Sequence, residues 1–281
     1  MTLAAINRFP IKSCRGAAAS EAVVEPWGLA GDRRWLVVDE DGVLITAREQ
    51  PRMLLVVPTP TSDGALHLAS PDAPELTVPV PGGDELVPVR VWGTELLAAP
   101  AGLEAAAWFS KIVGGAARLV YLDDPTRRHP NPQFARPTDY VSFADGYPLL
   151  LATTGSLHQL NDWIAVGPRP EEGPVPMIRF RPNVVIDGSD PFAEDGWRRL
   201  RIGAATFRAV KGCDRCVMTT IDPETAAKGK EPISTLARHR RFDGATWFGM
   251  QLIPDSPGAT IRVGDEVEVL ESVPAPDGPP R

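Results

Sequence analysis

Cysteine is scarce in this chain, with three among 281 residues, and the four histidines are scattered singly. Three thiols cannot build a disulfide framework, and one is always left over. A four-thiolate iron–sulfur cluster is excluded by count. His67, His129, His158 and His239 supply no second ligand pair, so a four-ligand structural zinc site lacks its donors. Positive charge is also short. A formal net charge of −7 argues against general binding to nucleic acid or an anionic membrane, while leaving room for a local basic pocket. No stretch approaches the roughly 18 uninterrupted apolar residues of a membrane span. The start, Met1-Thr2-Leu3-Ala4-Ala5-Ile6-Asn7-Arg8, has no basic segment followed by an apolar run, so no signal peptide is read there. A reducing cytoplasm fits these shortages.

Long helical periods are missing too, because 30 prolines cut the chain into short segments. What remains reads mainly as strands. Residues 34–38 and 43–46 flank Asp39-Glu40-Asp41-Gly42, whose Asp-Gly step suits a tight hairpin. Further strands are expected at 54–57, 87–92, 179–186, 200–210, 247–253 and 261–270. Helices are expected at Leu103–Val113, stopped by Gly114-Gly115, at 156–164 behind a Thr153-Thr154 cap, and at 232–241 with Pro232 in the first turn. The expected fold is mainly β with a few helices (α+β). The Pro-, Gly- and Asp-rich stretch 59–84 reads as surface excursions and 273–281 as a loose tail. The predicted division is 1–118, 119–272 and that tail.

What is there, and concentrated, is one hexapeptide: Lys211-Gly212-Cys213-Asp214-Arg215-Cys216. Thiols beside fixed positive charge are expected to ionise easily, and a thiolate is a nucleophile or a soft-metal ligand. A thioredoxin-like redox pair would open a helix in a βαβ setting, whereas this pair follows a strand. A pair of half-buried cysteines at a turn would leave the flanking Lys211 and Arg215 unexplained. One thiolate binding a metal whose other ligands come from a cofactor accounts for more of the segment.

Several motifs, in order, extend the reading. They are Phe9-Pro10-Ile11-Lys12-Ser13-Cys14-Arg15-Gly16, Gly31-Asp32-Arg33-Arg34-Trp35-Leu36-Val37, and Thr46-Ala47-Arg48-Glu49-Gln50-Pro51-Arg52. Then come Phe143-Ala144-Asp145-Gly146-Tyr147-Pro148, Arg179-Phe180-Arg181-Pro182-Asn183, and Cys213 to Cys216 followed by Thr219-Thr220-Ile221-Asp222-Pro223. Across nearly its whole length the chain resembles the MOSC superfamily, in the branch of bacterial and mitochondrial amidoxime-reducing enzymes with an N-terminal β-barrel domain. The resemblance implies a MOSC-type N-terminal barrel packed on a MOSC barrel, and a molybdenum cofactor, Mo-molybdopterin, whose dithiolene supplies two sulfurs. It makes Cys216 the single protein ligand to molybdenum, and Cys213 a supporting residue. Lys12, Ser13, Arg33, Arg181, Asn183 and Arg215 would hold the cofactor, and Asp145 would accept from the pterin's N–H groups. Arg181 and Asn183, two apart on a strand-like run, would share one face. Asp214 stands where relatives often carry a small hydroxyl residue; it is expected to point away from the phosphate or to accept from the ring. Thr153 and Thr154 are further candidates, though a capping role explains them equally.

The activity so implied is reduction of small N-hydroxylated compounds, amidoximes or hydroxylamines. Electrons would come from a separate ferredoxin- or cytochrome-type protein, since no second redox centre is visible. Two other readings use the same cysteine: a sulfur carrier forming a Cys216 persulfide, and a carrier that stores the cofactor.

Overall fold

The computed structural model describes residues 1–274 and 278–281. Mostly β-structure with three α-helices, it is organised around two bodies of sheet. The larger sheet runs in the order Val267–Ser272, Trp197–Ile202, Ala205–Asp214, Ala245–Pro254, Leu149–Thr153, Val184–Asp187, Thr2–Arg8, Ala17–Ala19, with Arg241–Phe242 paired to Ala245–Pro254. It closes on itself where Met1 O accepts from Val267 N (2.9 Å) and Leu3 O from Gly264 N (2.8 Å). Leu149–Thr153 and Val184–Asp187 are parallel, and helix Thr154–Ala165 supplies the crossover that a parallel pair needs. With barrel interior on one side and that helix on the other, every residue of Leu149–Thr153 is buried. Thr153 caps the helix, its hydroxyl accepting from Ser156 N at 3.1 Å.

The second body has a four-stranded sheet, Trp35–Val38, Arg118–Tyr121, Thr94–Pro100 and Val87–Val91, and a three-stranded one, Val57–Pro60, Leu66–Ser70 and Ala73–Val78. Helix Leu103–Val113 presses Ala105, Trp108, Phe109 and Ile112 into the same core as Met53, Leu66 and Leu68. It stops at Gly114, left-handed at φ 72°, whose N–H returns to Ser110 O.

The structure departs from the sequence reading in several places, among them the expected strand 54–57, where a 3-10 turn over Pro51–Leu55 precedes a strand that begins at Val57. Residues 59–84 are not merely loops, since most of the three-stranded sheet lies there; alternate apolar residues Leu66 and Leu68 face the helix core. The expected strand 200–210 is a hairpin of two strands turning at Gly203, φ 53°. Residues 179–186 are a 3-10 turn, Met177–Phe180, then Arg181 in left-handed conformation, then a strand from Val184, so Arg181 and Asn183 do not share a strand face. Leu3, Ile6, Val24 and Leu29 pack in the core of the larger barrel, while Arg118–Tyr121 pairs within the other body. Of the expected loose tail, residues 275–277 lie outside the described residues. Its end is docked: Pro280 O accepts from Gly212 N at 2.8 Å, and Pro279 packs over Gly212, where a Cβ would meet it at 2.5 Å.

Candidate functional site

Where the two bodies meet, a solvent-open cleft with about 630 Å³ of empty space is lined by five cations, Lys12, Arg33, Arg48, Arg181 and Arg215, against one carboxylate, Asp145. In a chain of net charge −7 that is a strong local reversal of sign, and such a concave site concentrates anions. Backbone strain concentrates there as well. Among the described residues seven non-glycine residues have positive φ, and four of them, Ser13, Arg33, Trp92 and Arg181, line the cleft. Left-handed non-glycine residues cost about 1–3 kcal/mol each and persist where the surroundings dictate them.

Those surroundings are visible at Arg33 and Arg181. Their guanidinium carbons sit 4.4 and 4.2 Å from the ring centroid of Phe9, which is wholly buried. Gly16 closes over the same ring, where a Cβ would lie 2.3 Å from it. Arg33 Nη1 donates to Asp32 Oδ2 (2.6 Å) and Asn183 Oδ1 (2.8 Å), and Nη2 to Arg181 O (3.2 Å). Asn183, 1% exposed, also accepts from Leu150 N and donates to Asn7 O, so its side chain chiefly anchors Arg33. Arg181 Nη1 donates to Cys14 O at 2.7 Å. Burial, then Arg33, push Arg181 down from the ordinary arginine value, but a guanidinium stays charged at neutral pH.

Lys12 Nζ donates to Phe143 O (2.9 Å) and Asp145 Oδ1 (2.5 Å). Burial lowers its pKa to about 8, with Asp145 opposing the fall. The Asp145 side chain is 65% exposed by area, yet it sits within the concavity. Its surroundings disfavour charge, but Lys12, then Arg48 and Arg33, hold the carboxyl well below the usual carboxylate range.

Strand Ala205–Asp214 delivers Cys213 to the cleft wall, and Arg215 follows it. Arg215 Nη1 donates to Cys213 Sγ (2.7 Å) and Nη2 to Phe180 O (2.7 Å). The easy ionisation expected of both thiols is not found at Cys213: burial raises its pKa by more than Arg215 lowers it. Cys216 is half-buried at the head of the 3-10 turn Val217–Thr220. Its carbonyl accepts from Thr219, and its thiol has no hydrogen bond among the described residues. Neither Cys216 nor Asp214 lines the cleft; Asp214 is exposed and paired with Lys211 Nζ at 3.3 Å. Thr153 is buried against Ser156 and Glu194 and takes no part in the lining, and Thr154 likewise stays outside it.

Of the residues singled out from sequence, the cleft thus gathers Lys12, Ser13, Arg33, Asp145, Arg181, Asn183 and Arg215, with Cys213 in place of Cys216. It adds Thr46, Arg48, Trp92 and Tyr147. Arg48 lies inside a motif already noted; Trp92 carried no signal beyond its place at the end of an expected strand.

The donor set suits an anionic, pre-formed ligand. Arg215 Nε and Tyr147 Oη are buried without a hydrogen-bond partner among the described residues. Among the described residues no group of three His, Cys, Asp or Glu side chains is placed to hold a metal ion. A dithiolene-bearing pterin phosphate would suit the cationic lining, with the expected thiolate Cys216 lying outside it.

Residues 1–116 match the MOSC N-terminal beta barrel domain and residues 138–268 the MOSC domain. Human mitochondrial amidoxime-reducing component 1 is 34% identical over 288 residues, covering 96% of this chain and 83% of that protein. Human mitochondrial amidoxime reducing component 2 is 33% identical, covering 95% and 82%. Among solved structures, the YUAD protein from Bacillus subtilis is similar at 12% identity with a TM-score of 0.41, covering 95% of this chain and 93% of that one. No helix among the described residues is long and apolar enough to cross a membrane.

Proposed function

This chain belongs to the MOSC family, and from that premise we propose that it is a molybdenum-cofactor-dependent oxidoreductase that removes oxygen from N-hydroxylated compounds such as amidoximes. The observation that carries the proposal is the cation-lined cleft with its unpaired Arg215 Nε, in a chain whose relatives are named amidoxime-reducing components.

In this reading Lys12, Arg33, Arg181 and Arg215 neutralise the cofactor's phosphate and dithiolene, and Ser13 donates a hydrogen bond to the phosphate. Fixed guanidinium forks and an ammonium are the usual means of holding such groups. Asn183 and Asp32 keep Arg33 in place, and the Phe9 ring keeps Arg33 and Arg181 in register. Asp145, ionised at neutral pH beside Lys12, accepts from ring N–H groups. Cys216 is the protein ligand: its thiol is uncommitted, whereas Cys213 is engaged by Arg215 and raised by burial. Asp214, paired with Lys211 outside the lining, stands clear of the phosphate. When bound, the cofactor supplies the two-electron chemistry that takes oxygen from the N–OH group. An external ferredoxin- or cytochrome-type protein restores the electrons. Three unpaired cysteines suit a reducing compartment, which we take to be the cytoplasm.

Metal analysis of wild type, Cys213→Ala and Cys216→Ala, together with reduction of benzamidoxime by viologen-reduced protein, tests this. Molybdenum is expected in the first two and lost in the third. Stoichiometric zinc throughout, or no turnover by molybdenum-loaded protein, sinks the proposal. A labile persulfide on Cys216 without bound molybdenum would favour sulfur transfer instead.

A further inference from the structure

Four of the five cleft cations are already committed to protein acceptors: Lys12 to Phe143 O and Asp145, Arg33 to Asp32 and Asn183, Arg181 to Cys14 O, and Arg215 to Phe180 O and the Cys213 sulfur. Arg48 is different. Its guanidinium has no hydrogen-bond acceptor among the described residues and lies 4.6 Å from the ring centroid of Trp92. The ring contact occupies none of its N–H groups with an oxygen acceptor, so they stay available to a bidentate oxyanion.

Both residues are held in place. Thr46 Oγ1 accepts from Arg48 N at 3.3 Å, and Thr46 O accepts from Glu49 N and Gln50 N, which fixes the turn carrying Arg48. Trp92 is the first residue of the two-residue loop between Val87–Val91 and Thr94–Pro100, with φ 54°. Glycine is favoured where such a loop demands positive φ, and a tryptophan there is strained. The residue is 41% exposed, so core packing does not account for it. Its Nε1 reaches Asp145 Oδ1 at 3.3 Å, which ties the hairpin tip to the cleft. Lys12 and Asn183, at 6% and 1% exposure, form the deep wall, whereas Arg48 is half-buried and Trp92 exposed at the rim. A ligand that enters after the cofactor meets the rim.

Resting on the reductase reading above, we infer that Arg48 and Trp92 form a substrate-selecting rim that favours planar N-hydroxylated compounds carrying a carboxylate or similar oxyanion. The substrate's anionic group pairs with the Arg48 fork, and its plane lies along the Arg48–Trp92 stack.

The test compares benzamidoxime with its para-carboxylated analogue. Dissociation constants are measured calorimetrically on oxidised holoprotein without reductant, and kcat/KM is measured separately with a viologen donor. A charge-assisted pair contributes about 1.5–3 kcal/mol, so wild type is expected to prefer the carboxylated compound by roughly ten- to a hundredfold. Arg48→Gln should lose most of that preference as a ratio, and Arg48→Lys should recover part of it. Trp92→Gly relieves the left-handed position, so it should keep the thermal midpoint while narrowing the preference. Equal affinities in wild type, or a preference unchanged in Arg48→Gln, would overturn the inference. So would loss of molybdenum from purified Arg48→Gln, which would make Arg48 a cofactor anchor. A fall in thermal midpoint for Trp92→Gly would reduce Trp92 to a packing residue and overturn its part. If wild type turned over neither compound, the reductase reading would fall, and the calorimetric preference would still decide the role of the rim.

Discussion

Replacing Asn183 by alanine should damage the site without touching any cation in it. The side chain is 1% exposed and makes three hydrogen bonds: from Arg33 Nη1 at 2.8 Å, from Leu150 N at 3.2 Å, and to Asn7 O at 3.2 Å. The first is charge-assisted and contributes about 1.5–3 kcal/mol; each of the others contributes about 1 kcal/mol. Together they put the expected destabilisation at about 3–5 kcal/mol, which lowers the thermal midpoint of a chain this size by about 10 °C. A double-mutant cycle with Arg33→Met, followed by circular dichroism during thermal unfolding, isolates the Arg33 bond. Coupling of about 1.5–3 kcal/mol is expected, against the ~0.5 kcal/mol scatter of independent sites. Additive losses, or a midpoint within 2 °C of wild type on the scale of ordinary surface changes, would refute the view that Asn183 anchors Arg33.

Three further outcomes follow from the same geometry. Burial pushes Glu194, hydrogen-bonded to Ser156 and Thr153, up to about 7. The folded state therefore holds this proton more tightly than the unfolded chain, so the stability it contributes is full below about 4.5 and lost as pH rises through 7. The midpoint of wild type should fall across that window and that of Glu194→Gln should not; parallel profiles would refute it. With the Lys12 pKa lowered to about 8, Lys12 is a cation below that pH and neutral above it, so sulfate affinity of the cleft should weaken as pH passes 8. Calorimetry on Lys12→Met should show no such dependence, and a dependence that persists there would assign it elsewhere. Deleting residues 278–281 removes Pro279 and Pro280 from Gly212, so iodoacetamide should alkylate the neighbouring Cys213 faster, as read by peptide mass spectrometry. An unchanged rate would show that the docked end does not shield the thiol.

Local signals made much of the fold legible. Helix Leu103–Val113 is readable to the residue because its apolar stripe ends at a glycine, and Thr153 is readable as a cap from its hydroxyl and position. The hairpin at Gly203 was hidden because apolar alternation runs through both of its strands, and 59–84 was hidden because proline and glycine there punctuate strands rather than replace them. At the site, Lys12, Arg33, Arg181 and Arg215 sit in compact motifs that can be recognised singly. Their convergence cannot be read locally, since Arg33 and Asn183 are 150 positions apart. The standing of Cys213 was illegible for a different reason. The flanking arginine is visible in the sequence, but the burial that outweighs it is a property of the closed barrel. Trp92 is hidden similarly, because only a folded hairpin shows that its tip reaches Asp145.

The first strand, Thr2–Arg8, pairs with Val184–Asp187, and its start is bonded to the 264–267 turn. Chains are synthesised from the N-terminus at about 5–20 residues per second, so this strand and its neighbour Ala17–Ala19 leave the ribosome well before Val184–Asp187 and the 264–267 turn exist. The larger barrel therefore cannot close until residues 264–267 have been made. Because Lys12 and Ser13 follow that strand directly, the anion cleft is completed in the same late step. Closure over such sequence separations is intrinsically slow. A chain that has not yet reached residues 264–267 thus offers an anion no finished seat.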